Sequence, residues 1–378
     1  MKEENMKEEN MKNIILDGHK LLWHQDRVKD MLMGWKVAPI TIDCALTTAC
    51  SYKCVYCYGQ LQKHEGYNLS KDTIMSFLDD AAEIGVKGMS FVSDGESAHS
   101  PHLYEAILRG KKNGMDMALG TNGFALKDER LEDILPALTY IRYNISSCKP
   151  KEYARIHGVN EKAFYKVVDT IKESVKIKKE NKLDVTIGLQ MVLLPDYASE
   201  ILPLAWFGRD IGADYLVIKH CSDDETGALG VPYSKYDGLV DILQEAENKS
   251  TKDYTVKAKW SKILSGGKRN YDQCLAVPLM LQMSGSGLVA PCGFLFNDKY
   301  KDKFHIGNIA EKRFKDIWKS DRYWEVMDYL SSEKFNAHTD CGTLCLQHKA
   351  NEFLWDLKQG KIKPQPPTGK PPMHINFI

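Results

Sequence analysis

The sequence predicts an α/β fold: a partial (β/α)6 TIM-type barrel followed by a small C-terminal cysteine-bearing domain. Three observations carry this. From about Pro39, short β-rich runs alternate six times with amphipathic helical stretches. Six repeats fall short of the eight that close a full barrel, so an open sheet is expected. Beyond Lys219 the rhythm breaks, and from Tyr271 to about Leu357 cysteines reappear amid glycine and short β patterns.

The predicted strands cover residues 40–45, 89–92, 116–119, 140–146, 184–194 and 215–219. Between them lie helices over 70–84, with Ser70 as N-cap and Asp72 in the first turn, and over 163–179, whose outward face is lysine-rich. A further helix over 234–247 and one strand over 254–259 follow. The chain then divides into an N-terminal extension (1–38), the partial barrel (39–232), a connecting segment (233–270), the cysteine domain (271–357) and a Pro-rich linker with a terminal tail (358–378). The apolar ending Met373-His374-Ile375-Asn376-Phe377-Ile378 is expected to dock back onto the protein, over the barrel mouth.

Composition narrows the function classes. The 378 residues hold 51 Lys plus Arg against 51 Asp plus Glu, 43% are hydrophobic, and no apolar run is long enough to cross a bilayer. A membrane span, a strongly basic nucleic-acid binder and a disordered tail are thereby excluded. The opening MKEENMKEENMKN is a charged five-residue echo without an apolar core, unlike a signal peptide. A cytoplasmic location is expected, where ten clustered cysteines serve metal or redox chemistry rather than disulfides.

Cys50-x3-Cys54-x2-Cys57 lies in the loop directly after the first predicted strand. Three thiolates this close can hold three irons of a 4Fe-4S cube and leave the fourth open to another ligand. A structural zinc site would show two paired ligand sets. With Tyr56 before the last cysteine, the motif resembles the signature of the radical S-adenosylmethionine superfamily, and the resemblance extends over residues 39–219. It implies reductive cleavage of S-adenosylmethionine to methionine and a 5′-deoxyadenosyl radical.

The resemblance also implies site residues. Asp94-Gly95-Glu96 stands where the family has Gly-Gly-Glu, which contacts the methionine amino group. Asn144 and Ser146 end strand four, where a polar residue contacts the ribose. Arg155 lies in a stretch resembling the one that supplies a guanidinium to the methionine carboxylate, and Gln190 is a further cofactor contact. Downstream, Cys274, Cys292, Cys341 and Cys345 resemble a SPASM/twitch extension that binds an auxiliary 4Fe-4S cluster, with His338 or His348 as substitute ligands and four-thiolate zinc as the alternative. The overall cysteine pattern resembles 2-deoxy-scyllo-inosamine dehydrogenase-like members, implying oxidation of a small hydroxylated substrate and a flavodoxin or ferredoxin as electron donor.

Cys148 and Cys221 fall just past strands four and six, where β/α barrels assemble their active sites, and are candidate hydrogen-atom donors for an epimerase. Lys219 and His220 end strand six, and His220 is a candidate proton acceptor. A peptide- or protein-modifying maturase ranks lower, because only 49 residues precede Cys50, too few for a folded leader-binding domain.

Overall fold

The computed structural model describes residues 13–62, 66–224, 226–342 and 345–378. All of the opening echo except Asn13 lies outside the described residues. Six parallel strands follow the predicted order: β1 (Thr41–Cys44), β2 (Gly88–Phe91), β3 (Asp116–Thr121), β4 (Leu138–Asn144), β5 (Thr186–Leu193) and β6 (Tyr215–His220). Period-two alternation gives each strand two fates. Ile42, Ile141, Tyr143, Leu189, Leu216 and Ile218 pack outward beneath the helices in one apolar core. Their neighbours Asp43, Arg142, Gln190 and Lys219 point inward and line a cavity.

The sheet does not stop at β6. A seventh parallel strand, β7 (Thr255–Ala258), pairs with β6. At the other edge β8 (Met280–Met283) pairs in parallel with β1, and β9 (Leu288–Ala290) and β10 (Gly307–Asn308) continue antiparallel. The described sheet has ten strands in the order β10-β9-β8-β1-β2-β3-β4-β5-β6-β7. The cysteine-bearing C-terminal segment is therefore built on the barrel's own edge, which no local pattern in 271–357 announces.

The helix Lys71–Ile84 shows why its sequence folds so. Ser70 Oγ accepts from Thr73 N at 3.2 Å, and Gly85 closes the far end in the left-handed region at φ 101°. Ile74, Phe77, Leu78 and Ala81 form its buried stripe. Asp80 shares that helix yet is fully buried, because the C-terminal segment covers it: Arg313 grips its carboxylate with Nε at 2.9 Å and with Nη2. The Phe314 ring meets Phe77 edge-on at 5.0 Å.

The tail does dock, but at the opposite end from the mouth. Thr41 donates to Asn376 O at 2.5 Å, Asn376 Nδ2 donates to Asp116 at 2.8 Å, and Thr186 meets His374 Nε2 at 2.8 Å. Thr41, Asp116 and Thr186 open their strands, so the tail closes the barrel floor. At Gly88, which begins β2, a Cβ would lie 2.7 Å from Asn376 O. The apolar part of the ending packs inward: Phe377 is buried against Tyr140 at 5.0 Å. No described helix is long and apolar enough to cross a membrane.

Candidate active site

The loop bearing Cys50, Cys54 and Cys57 is held by the end of the helix Pro150–His157. Lys53 N donates to His157 O at 3.1 Å and Val55 N to Ile156 O at 3.0 Å, satisfying carbonyls that a helix terminus leaves open. Gly158, at φ 64°, admits the loop; a Cβ there would lie 2.5 Å from Lys53 O. The three thiols interact with one another: burial and the neighbouring thiolates push Cys54 up, and burial raises Cys57 and carries Cys50 to about 11. Thiolates forced this close are stable only with cations between them, so the donor set suits an iron-sulfur cluster.

The same helix decides between two neighbouring residues. Arg155 pairs with Glu152 at 2.6 Å and stacks over Tyr197, and it is not among the residues that line the barrel's cavity. His157 points inward with Tyr153 and Ile156. Its Nε2 accepts from Ser146 N at 3.2 Å, and burial lowers its pKa to about 3, so the ring is neutral and Nδ1 carries the proton. That N–H faces Cys54 Sγ and Tyr56 Oη, each at 3.3 Å. Hydrogen bonds to cluster sulfurs raise the reduction potential. His157→Ala is therefore expected to lower the potential of the cluster held by Cys54, read by EPR-monitored redox titration; an unmoved midpoint would refute the role. The (i, i+3, i+4) spacing of Tyr153, Ile156 and His157 is the signal that could have singled out this residue.

Asp94-Gly95-Glu96 follows β2 in a strained turn. Gly95 has φ 74°, and a Cβ would lie 2.2 Å from Thr47 O, so only glycine is tolerated. Glu96 is buried and accepts from Asn122 N at 2.7 Å, Thr121 Oγ1 at 2.8 Å and Ala98 N at 3.1 Å; burial nevertheless pushes its carboxyl above the usual range. Asp94 accepts from Ser284 Oγ at 2.6 Å and Gly285 N at 2.9 Å, tying the barrel to the C-terminal segment. Asn122, missed in the sequence, sends Nδ2 to Cys50 Sγ at 3.9 Å.

A cavity of about 330 Å³ occupies the barrel interior. Tyr56, Asp94, Asn144, Gln190, Lys219 and His220 all line it, as does Cys57. Gln190 Nε2 donates to Asn144 Oδ1 at 2.5 Å. Ser146 does not reach the cavity: its hydroxyl meets Val192 N at 3.3 Å, filling a gap in the β4–β5 ladder instead of offering a ribose contact. Cys148 and Cys221 are likewise absent from the lining. The Cys221 thiol is buried and donates to Tyr56 O at 3.4 Å. A larger depression of about 540 Å³ lies outside, against Trp260, Leu264 and His348, and receives no strand-end side chain.

Burial, then Arg142 and Lys262, lower Lys219 to about 7. His220 is lowered to about 3, chiefly by burial; among the described residues neither of its ring nitrogens has a hydrogen-bond partner, and its ring lies 3.7 Å from that of Tyr236. Both side chains are thus able to take up or share a proton near neutrality or below.

Cys274, Cys292, Cys341 and Cys345 converge. Asn351 Nδ2 lies 3.7 Å from Cys274 Sγ and 3.5 Å from Cys345 Sγ. Burial and the other three thiolates push Cys274 far above its ordinary value. The two histidines have other partners: His338 Nε2 meets Asp272 at 3.0 Å, and His348 Nδ1 meets Tyr271 Oη at 3.1 Å. Among the described residues, no three Cys, His, Asp or Glu groups close around a single metal ion.

A parallel β/α sheet with three thiols in the loop after β1 and four more on its C-terminal edge defines a radical S-adenosylmethionine enzyme with an auxiliary iron-sulfur domain. The comparisons agree: the chain carries a Radical SAM superfamily domain over residues 45–201 and a SPASM iron-sulfur cluster-binding domain over 274–346. The first binds a 4Fe-4S cluster and S-adenosylmethionine, and the second binds auxiliary clusters. The chain is 22% identical over 318 residues to the tungsten-containing aldehyde ferredoxin oxidoreductase cofactor-modifying protein of Pyrococcus furiosus, covering 78% of this chain and 85% of that one. It is 29% identical over 208 residues to a probable GTP 3′,8-cyclase of Saccharolobus solfataricus, covering 55% of this chain and 64% of the cyclase, less than two thirds of its length. In fold it is similar to the crystal structure of Streptococcus suis SuiB bound to S-adenosylmethionine, at TM-score 0.62 and 16% identity, covering 81% of this chain and 72% of SuiB. Native anSMEcpe with bound AdoMet aligns at TM-score 0.54 and 15% identity, over 85% and 97% of the two chains.

Proposed function

We propose that this chain is a radical S-adenosylmethionine oxidoreductase that dehydrogenates a small hydroxylated molecule such as a cyclitol, a sugar or a nucleotide sugar. The observation that supports the reading is one cavity that runs from Cys57 to residues beside the auxiliary cysteines. Cys57 lines one wall; Leu346, next to Cys345, and Lys262, which faces Cys292 and Cys345, line another. A closed floor and a volume of about 330 Å³ favour a small molecule over an extended peptide. The printed activity of the Pyrococcus relative, cofactor modification, supports the same choice.

Cys50, Cys54 and Cys57 hold the cleaving cluster, and Cys274, Cys292, Cys341 and Cys345 hold one auxiliary cubane. When bound, these groups and S-adenosylmethionine supply a 5′-deoxyadenosyl radical that takes one hydrogen atom and an acceptor for one electron. Glu96 and Asp94 orient the sulfonium reagent, with Asn144 and Gln190 contacting it from β4 and β5. Lys219, with His220 beside it, accepts the hydroxyl proton. One hydrogen atom, one proton and one electron leave the alcohol, and a carbonyl remains. A flavodoxin or ferredoxin supplies the electron that starts each cycle.

Turnover in deuterated water separates this from epimerisation. The expected product is a carbonyl compound with no solvent deuterium at the oxidised carbon, read by mass spectrometry. An epimer carrying one deuterium would overturn the reading.

A further inference from the structure

The cavity wall carries more positive charge than the proposed dehydrogenation uses. Lys259 and Lys262 line it beside Lys219, and Arg142 lies deeper on β4. Lys219 and Lys259 are neighbours across the sheet, because Ile218 pairs with Ala258 and Lys259 N donates to Ile218 O at 2.8 Å. Among the described residues, Arg142 Nε is buried without a hydrogen-bond partner. Lys259 falls well below its ordinary value, first by burial, then by Lys262, Arg142 and Lys219, with Asp17 opposing them. The buried Asp43 in the same lining also faces Lys219, Lys259 and Arg142, so one carboxylate stands against four cations. Asp17 is committed elsewhere, accepting from Ser261 N at 3.0 Å and from its hydroxyl at 2.5 Å. Lys262 also faces the thiols of Cys345 and Cys292, so part of its charge serves the auxiliary set. Lys259 has no such second role.

Cations held together at the rim of an enclosed cavity repel one another until an anion joins them. Two or three separate amines match the peripheral oxygens of a tetrahedral dianion, whereas a single carboxylate is served by one cation. We propose that Lys259 and Lys262 form a phosphate-binding rim, and that the substrate is a phosphorylated small molecule whose phosphoryl group anchors it there, leaving Lys219 to accept the proton. This rests on the reading of the cavity as the substrate site, and it narrows that substrate to phosphate esters.

The probe is inorganic pyrophosphate, titrated calorimetrically into the anaerobically reconstituted full-length protein saturated with S-adenosylmethionine, with malonate in a parallel arm. One pyrophosphate is expected to bind per chain, malonate far more weakly, and the Lys259→Ala/Lys262→Ala variant to lose affinity by about tenfold or more. No binding, equal binding of malonate, an unchanged variant, or binding seen only without S-adenosylmethionine would each overturn the proposal; the last assigns the lysines to the methionine carboxylate. Should the variant not fold, the wild type still decides: pyrophosphate should shield Lys259 and Lys262 from acetic anhydride, mapped by mass spectrometry, and unshielded lysines refute the rim. If a carbonyl product forms while pyrophosphate does not bind, dehydrogenation stands and the phosphate rim alone falls. If pyrophosphate binds and the product is not oxidised, the reverse holds.

Discussion

Alanine in place of Cys50, Cys54 and Cys57 together is expected to abolish 5′-deoxyadenosine formation and to remove about four irons per chain, the content of one cubane. The physical reason is local. The loop offers three thiols between the C-terminal edge of the sheet and the end of the helix Pro150–His157, and its backbone is fixed independently of any metal by the Lys53 and Val55 hydrogen bonds to that helix. The variant should therefore fold and retain its auxiliary set, since Cys274 and Cys345 are held by Asn351 on a different helix, His348–Lys358. Iron and sulfide counting with Mössbauer spectroscopy checks the outcome. Retention of the full wild-type iron content, or of nucleoside formation, would remove the basis for assigning cleavage chemistry to this loop.

The second large effect is on stability. Deleting 373–378 removes the buried Phe377 ring, worth about 1.5–3 kcal/mol, from the barrel floor. It also strips partners from Thr41, Thr186 and Lys20, the last of which donates to Phe377 O at 2.5 Å. Each buried polar group left unmade costs about 1–3 kcal/mol, less where water enters the opened floor. A loss of about 3–5 kcal/mol in all is expected, a large share of the ~5–15 kcal/mol that holds a typical domain. The melting temperature should fall by about 5–10 °C. Circular dichroism or calorimetry decides, and an unchanged melting temperature would show that the floor is not sealed by this segment. Nucleoside formation should decline with it, because the floor excludes water from the cavity above.

Much of this protein was legible without coordinates. The six β/α repeats read correctly because a buried parallel strand and an amphipathic helix are short-range patterns, and the Ser70 cap and Gly85 stop lie within a turn of the helix they bound. The grouping of Cys50, Cys54 and Cys57 on one loop was legible for the same reason, because residues of one loop are close in sequence. Glu96 and Gly95 also announced themselves, since a strand-end turn of that composition demands a left-handed residue.

What the sequence by itself determined, then, is the chemistry carried by contiguous motifs and the alternation that builds the sheet. Tertiary structure alone decided which side of an element a polar residue occupies and which distant segments meet. Arg155 and His157 differ by two positions, about half a helical turn, and only the packing of the helix against the cysteine loop turns one to solvent and the other to Cys54. Lys259 and Lys262 are indistinguishable in composition from the 51 basic residues of the chain until β7 joins β6 and brings them to the cavity rim. The pairing of β8 with β1 and the return of Phe377 to the floor join residues more than two hundred positions apart. Such contacts arise from the burial of whichever apolar edge remains uncovered, and a pattern confined to one window of sequence does not contain that information.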